Sequence, residues 1–224
     1  AEKSKTKRHL TEFWMMDAEM AFVDLAGNLA IQEELIKALV SAVLEKNQEE
    51  LAILERDTTI LKNVVEKNFY RMSHAQAIKE LQELGSDIKA DEDLGADDET
   101  LLTKKYDNPI FVTNYPAKLK AFYMSRNADN GELAECADLL APEGYGEIIG
   151  GSQREEDYEM LKQRVIDFGL KAEDYQWYLD LRKYGSVPHG GFGFGLERIV
   201  TWVCGLEHVR ESIPFARTIY RLWP

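Results

Sequence analysis

Apolar positions along the chain fall into two rhythms. Leu29, Ile31, Leu35, Ile36, Leu39, Val40, Val43 and Leu44 recur near the 3.6-residue period, which predicts a long helix from a cap at Asp24 to about residue 46. A short helix is predicted over 49–55, and Ser73 with Gln76 makes a capping-box pattern ahead of another over 74–84. Further helices are expected over 155–167 and 173–183. Short apolar runs predict strands over 10–16, 110–113, 121–124, 138–140 and 146–149. Glycine-punctuated residues 190–195 predict a last strand that enters a helix near Leu196. Residues 1–9 read as a polar loop, and 85–108 as an acidic, Gly/Asp-rich insertion that is exposed and mobile. Strands cluster between long helices instead of alternating with them, so the expected fold class is α+β: an antiparallel β-sheet flanked by helices.

Composition narrows the function classes. The 224 residues carry 40 acidic and 27 basic side chains, a formal charge of −13, so bulk charge does not draw polyanions. Phosphate or nucleic-acid chemistry then needs a local basic site, and Lys3, Lys5, Lys7 and Arg8 supply one candidate. No apolar run approaches the ~20 residues that span a bilayer, so no membrane partner is expected. Cys136 and Cys204 are too few for a disulfide framework, and no secretory signal opens the chain, which points to a cytoplasmic protein.

Three stretches could carry chemistry. Gly190-Gly191-Phe192-Gly193-Phe194-Gly195-Leu196-Glu197-Arg198 fits neither the dinucleotide fingerprint nor a P-loop. Its bare backbone at Gly193 and Gly195 would let a flat ligand lie against the strand, and Arg198 in the next helix suits a phosphate; close strand–helix packing is the equal alternative. Arg8-His9-Leu10-Thr11-Glu12-Phe13 sets a ring beside cations, either a purine platform or a core aromatic. Glu147, with Asp138, could hold Mg²⁺, which takes one or two carboxylates plus substrate phosphates. Arg154 opens a helix, where a cation is disfavoured, and could instead clamp a small substrate. The four histidines lack metal-ligand spacing, so zinc is not expected.

Together these stretches resemble the catalytic core of a class II aminoacyl-tRNA synthetase of the asparaginyl/aspartyl subgroup. Gly191-Phe192-Gly193-Phe194-Gly195-Leu196-Glu197-Arg198 is similar to the third signature motif of that class. Ala1-Glu2, Arg8-His9-Leu10-Thr11-Glu12-Phe13 and Asp17-Ala18-Glu19-Met20-Ala21-Phe22 are similar to most of the second. Gly146-Glu147-Ile148-Ile149-Gly150-Gly151-Ser152-Gln153-Arg154-Glu155-Glu156, Thr113-Asn114-Tyr115-Pro116 and Leu181-Arg182-Lys183-Tyr184-Gly185 resemble the asparaginyl version.

The resemblance implies activation of L-asparagine by ATP through an asparaginyl adenylate, transfer to tRNA(Asn), and a homodimeric full-length enzyme. Aspartate activation, a stand-alone synthetase-like paralogue and a non-catalytic module are the alternatives. It further implies that Phe13 and Arg198 sandwich adenine, with Arg198 also near the γ-phosphate and Gly193 and Gly195 beneath. Glu2 would contact the adenine amino group, His9 and Ser152 the phosphates, and Asp138 and Glu147 would hold Mg²⁺. Arg154 would read the substrate's side-chain carbonyl, with Glu12 and Asp17 as candidates for its amide and α-amino group. The expected organisation is a partial catalytic domain over 1–224, N-terminally incomplete. The first signature motif, the arginine of the second and an anticodon-binding β-barrel are expected to lie outside it.

Overall fold

The computed structural model describes residues 6–223, and its centre is one six-stranded sheet. Its strands are β1 (Met15–Ala21), β2 (Tyr70–Ser73), β3 (Ile110–Thr113), β4 (Cys136–Ala141), β5 (Gly146–Gln153) and β6 (His189–Gly195). Across the sheet they run β1-β6-β5-β4-β3-β2. Every neighbouring pair is antiparallel except β2 and β3, which are parallel, so the sheet is mixed at one edge. A parallel pair needs a long crossover, and here two helices separate β2 from β3.

The helices follow the apolar periodicity. The first, α1 (Leu25–Lys46), begins where the Asp24 side chain accepts the Gly27 N–H at 2.8 Å. After it come α2 (Gln48–Ile53), α3 (Thr59–Glu66), α4 (His74–Glu83), α5 (Ala96–Thr103), α6 (Tyr158–Asp167), α7 (Gln176–Lys183) and α8 (Leu196–Cys204). Ser73 and Gln76 form the expected capping box at α4. On one face of the sheet, Phe111, Leu139, Ile149, Phe192 and Phe194 pack with Ile36 and Val40 of α1, Val64 of α3 and Trp202 of α8. Alternation sends Ile110 and Val112 of β3 to the other face, against Ile78 and Leu81 of α4 and Leu102 of α5. Each such side chain stabilises the fold by roughly 1.5–3 kcal/mol.

Four expectations need correction. The first strand spans 15–21, not 10–16, because it pairs residue for residue with β6, from Met15↔Gly195 to Ala21↔His189. Residues 10–14 bond elsewhere; the Thr11 N–H, for example, reaches Arg217 O at 3.0 Å. Residues 121–124 form no strand: the Met124 N–H turns back to Ala121 O, and Met124 O accepts Arg164 Nη1 at 2.7 Å. The acidic stretch 85–108 is folded, with Ile88, Leu94 and Leu102 buried and α5 packed on the sheet. Its few apolar residues are the ones that go inward. Finally, α3 and β2 were not anticipated, since their short runs carry too few periodic positions to register. Both cysteines are free, and among the described residues no helix is long and apolar enough to cross a membrane.

Candidate active site

Strand alternation builds the floor. Phe192 and Phe194 of β6 point into the core, which leaves Gly191, Gly193 and Gly195 on the opposite face. Their register partners on β1 are Glu19, Asp17 and Met15. A Cβ at Gly193 would lie 2.5 Å from Asp17 Oδ1 and 2.6 Å from Met15 Cε, and one at Gly191 would collide with the Glu19 carboxylate. The glycines therefore make room for the acids of the neighbouring strand as well as for a ligand.

A cavity of about 460 Å³ opens over this floor. His9, Phe13, Asp17, Asp138, Glu147, Arg154, Gly193, Gly195 and Arg198 all line it, so nine of the sequence-derived candidates converge there. One clasp holds the segment that bears Phe13 beside the helix that bears Arg198. The buried Glu197 carboxylate, in the first turn of α8, accepts the Trp14 N–H at 3.0 Å, and Trp14 O accepts the Leu196 N–H at 2.9 Å. This fixes the residue after Phe13 beside the helix turn that projects Arg198. Phe13 is half exposed at 49%, so its ring is available to a ligand and is not a core aromatic.

The phosphate-suited end is densely charged. Arg198 donates to the Glu147 carboxylate at 2.8 Å and to its carbonyl at 3.1 Å, and lies 3.4 Å from His9 Nε2. A bulge between Leu139 and Leu140 in the β4–β5 pairing shifts the alternation, so that Glu147 faces the same side as Gly150 and Asp138. A Cβ at Gly150 would lie 3.0 Å from Glu147 Oε1 and 3.6 Å from Asp138 Oδ1: the two acids converge over a bare glycine. Asp138 also accepts Lys120 Nζ at 2.7 Å. Burial, opposed by Lys120 and reinforced by Glu147, lifts the Asp138 carboxyl above its usual range. Among the described residues no group of three or more metal-ligating side chains assembles. Two carboxylates facing a phosphate-suited cavity nevertheless fit Mg²⁺, which takes its remaining ligands from substrate oxygens and water.

The other end of the cavity is set by Arg154. Its guanidinium donates from Nε to Glu19 Oε1 at 3.0 Å, from Nη2 to the same oxygen at 2.5 Å, and from Nη1 to Ser152 Oγ at 2.7 Å. Ser152 is fully buried and supports Arg154 without lining the cavity. Glu12 does not line the cavity: its carboxylate turns away from Leu10 and Phe13, which do, and pairs with Arg217 at 2.5 Å. Glu2 lies outside the described residues. Sequence reasoning misses Glu19. Ending the first strand at residue 16 hides the period-two pattern in which Asp17 and Glu19 share a face opposite Ala18 and Met20. It also misses Lys120 and Tyr123, which line the cavity beside Arg8 of the basic stretch, and Glu99. Burial and then the charge of Glu147 push the Glu99 carboxyl up to about 7, against the opposing pull of Arg8.

A family profile described as tRNA synthetases class II (D, K and N) matches residues 1–219. The chain is 53% identical, over its whole length, to the asparagine–tRNA ligase of Lactobacillus helveticus and covers 52% of that protein. It matches the structure of asparaginyl-tRNA synthetase from Pyrococcus horikoshii complexed with asparaginyl-adenylate with a TM-score of 0.97 and 48% identity, covering 100% of this chain and 51% of that one. Against the aspartyl-tRNA synthetase of Entamoeba histolytica the TM-score is 0.87 and identity falls to 28%, covering 100% of this chain and 47% of that one. The chain thus spans about half the length of the relatives it matches.

Proposed function

Because this chain belongs to the class II tRNA synthetases of the D, K and N group, we propose that the protein activates L-asparagine with ATP and passes the asparaginyl group to tRNA(Asn). A carboxylate oxygen of asparagine attacks the α-phosphorus, the bond to the β-phosphate bridging oxygen breaks, and pyrophosphate leaves. A terminal ribose hydroxyl of tRNA then attacks the adenylate's carbonyl carbon, and AMP leaves. The observation that carries the reading is that Phe13 and Arg198 face one cavity over the bare backbone of Gly193 and Gly195. A ring and a planar cation are both stacking partners for adenine.

The residues divide the work by charge. Arg198 and His9 stand where the triphosphate's negative charge would collect; the guanidinium is a fixed cation that stabilises charge as the leaving pyrophosphate takes it up, and the imidazole offers a hydrogen bond beside it. Asp138 and Glu147 would hold Mg²⁺, whose chemistry is to neutralise phosphate oxygens. Lys120 and Arg198 pair with those acids and hold them at the cavity wall. At the far end, Arg154 donates and Glu19 accepts, which are the two functions a primary amide requires; a carboxylate side chain would meet Glu19 with like charge. Asp17, beside them on the same face of β1, suits an α-ammonium group.

The test is ATP–pyrophosphate exchange by the full-length protein. Asparagine is expected to drive exchange far better than aspartate. A preference for aspartate would overturn the substrate, and no exchange with either would overturn the activity.

A further inference from the structure

We propose that Glu99, on α5, is a positioning residue for the phosphate end of the cavity, acting through Arg8 and through the backbone of Glu147. The inference rests on the nucleotide reading above. Its basis is a closed circuit of polar contacts. Arg8 Nη1 donates to Glu99 Oε2 at 2.5 Å, and the same oxygen accepts the Glu147 N–H at 2.9 Å. Glu147 holds Arg198 through its carboxylate and carbonyl, Arg198 adjoins His9, and His9 follows Arg8 in the chain. One oxygen on α5 therefore ties the segment bearing His9 and Phe13 to the strand bearing Glu147.

The surroundings are built for this contact. Arg8 Nη2 donates to Gly144 O at 2.7 Å and to Thr100 Oγ1, so the guanidinium is held on three sides. Gly146 has φ +73°, and a Cβ there would collide with both Arg8 Nη1 and Glu99 Oε2; the ion pair occupies the space the glycine leaves empty. The side chains of Arg8 and Glu99 are 15% and 14% exposed, so water screens their attraction weakly. Glu99 does not line the cavity, whereas Arg8, His9, Glu147 and Arg198 do, so any effect of Glu99 on nucleotide must pass through them. Arg154 and Glu19 share no contact with this circuit.

The split between substrates is the test, made on the full-length protein with ATP and asparagine affinities measured by calorimetry beside exchange kinetics. Glu99→Ala is expected to raise Kd and KM for ATP roughly tenfold, since sub-ångström to ångström misplacement of positioning groups carries costs of this order. Asparagine affinity should stay within about twofold. Glu99→Gln, which keeps an oxygen for the Glu147 N–H, should recover part of the loss. Arg8→Lys combined with Glu99→Ala should lose no more than the worse single variant, because the two act as one unit. Unchanged ATP affinity, equal losses for both substrates, or additive losses would each overturn the proposal. Should Glu99→Ala fail to fold, Glu99→Gln and Thr100→Val decide: an ATP-selective loss in both supports it, and none overturns it. A wild type without asparagine-dependent exchange brings down the nucleotide reading and this inference together; a wild type that exchanges, with Glu99 variants indistinguishable from it, brings down this inference alone.

Discussion

Glu19 and Arg154 hold each other in the free protein and would separate around a substrate amide, one accepting its N–H and the other donating to its carbonyl. The Arg154 side chain is 12% exposed and that of Glu19 54%, so selectivity at such a site comes mainly from whether the guanidinium keeps an acceptor when the wrong substrate binds. Glu19→Gln removes the negative charge while keeping the shape. It is expected to raise the asparagine KM at least tenfold, on the order of one lost charge-assisted hydrogen bond, with the ATP KM unchanged. Equal KM values for asparagine in variant and wild type would remove Glu19 from the reading. Most of the cavity's residues were legible in sequence through the resemblance of their motifs to those of the family; residue type alone left packing alternatives open. Glu19 was not, since nothing in its neighbours distinguishes it until the strand's true span is known. Glu12 was a candidate by resemblance alone, and a motif does not show that its carboxylate turns to Arg217.

At the scale of elements, β1 and β6 form a matched pair in which one strand gives up side chains so that the other can keep carboxylates. Gly193→Ala tests this directly. The new methyl would meet Asp17 Oδ1 and Met15 Cε inside contact distance, so it should destabilise by about 1–3 kcal/mol, as overpacking does, and displace Asp17. A lowered thermal midpoint with weakened asparagine binding is expected; a neutral result would mean β1 shifts freely. The long helix α1 and the capped α4 were readable from period and cap alone. The stretch 85–108 was not, because acidic content describes the solvent side of α5 and says nothing about a single carboxylate turned inward. Likewise the β4–β5 bulge that aims Glu147 leaves no mark on periodicity, since it is a property of the pairing and not of one strand.

For the whole molecule, two cores on opposite faces of one sheet leave a few ionisable groups inside. His74 is 2% exposed, its ring tilted against that of Tyr115 with centroids 4.7 Å apart and Nε2 2.9 Å from Glu92 O, and burial lowers its pKa from the ordinary value of 6.5. Asp93 and Lys120 face it with opposite charges. A lowered folded-state pKa means the unfolded chain binds the proton first as pH drops. The stability this histidine contributes is therefore complete above about 6.5 and is lost as pH falls through its folded value. The raised Glu99 and Asp138 carboxyls act with the opposite sign, so the readout is the difference between variants: between pH 7 and 5 the thermal midpoint of the full-length protein should fall relative to that of His74→Gln. Parallel profiles would show that His74 does not carry the effect.

The pairing of β1 with β6 also sets a timetable. Strand β1 is made well before β6, so Met15, Asp17 and Glu19 cannot take up this pairing until residues 189–195 have left the ribosome. At synthesis rates of about 5–20 residues per second, that wait is on the order of ten seconds or more. During it the edge of β1 that faces β6 lacks its ladder partner. Ligand competence then arrives in one late step, with the closing of that single ladder.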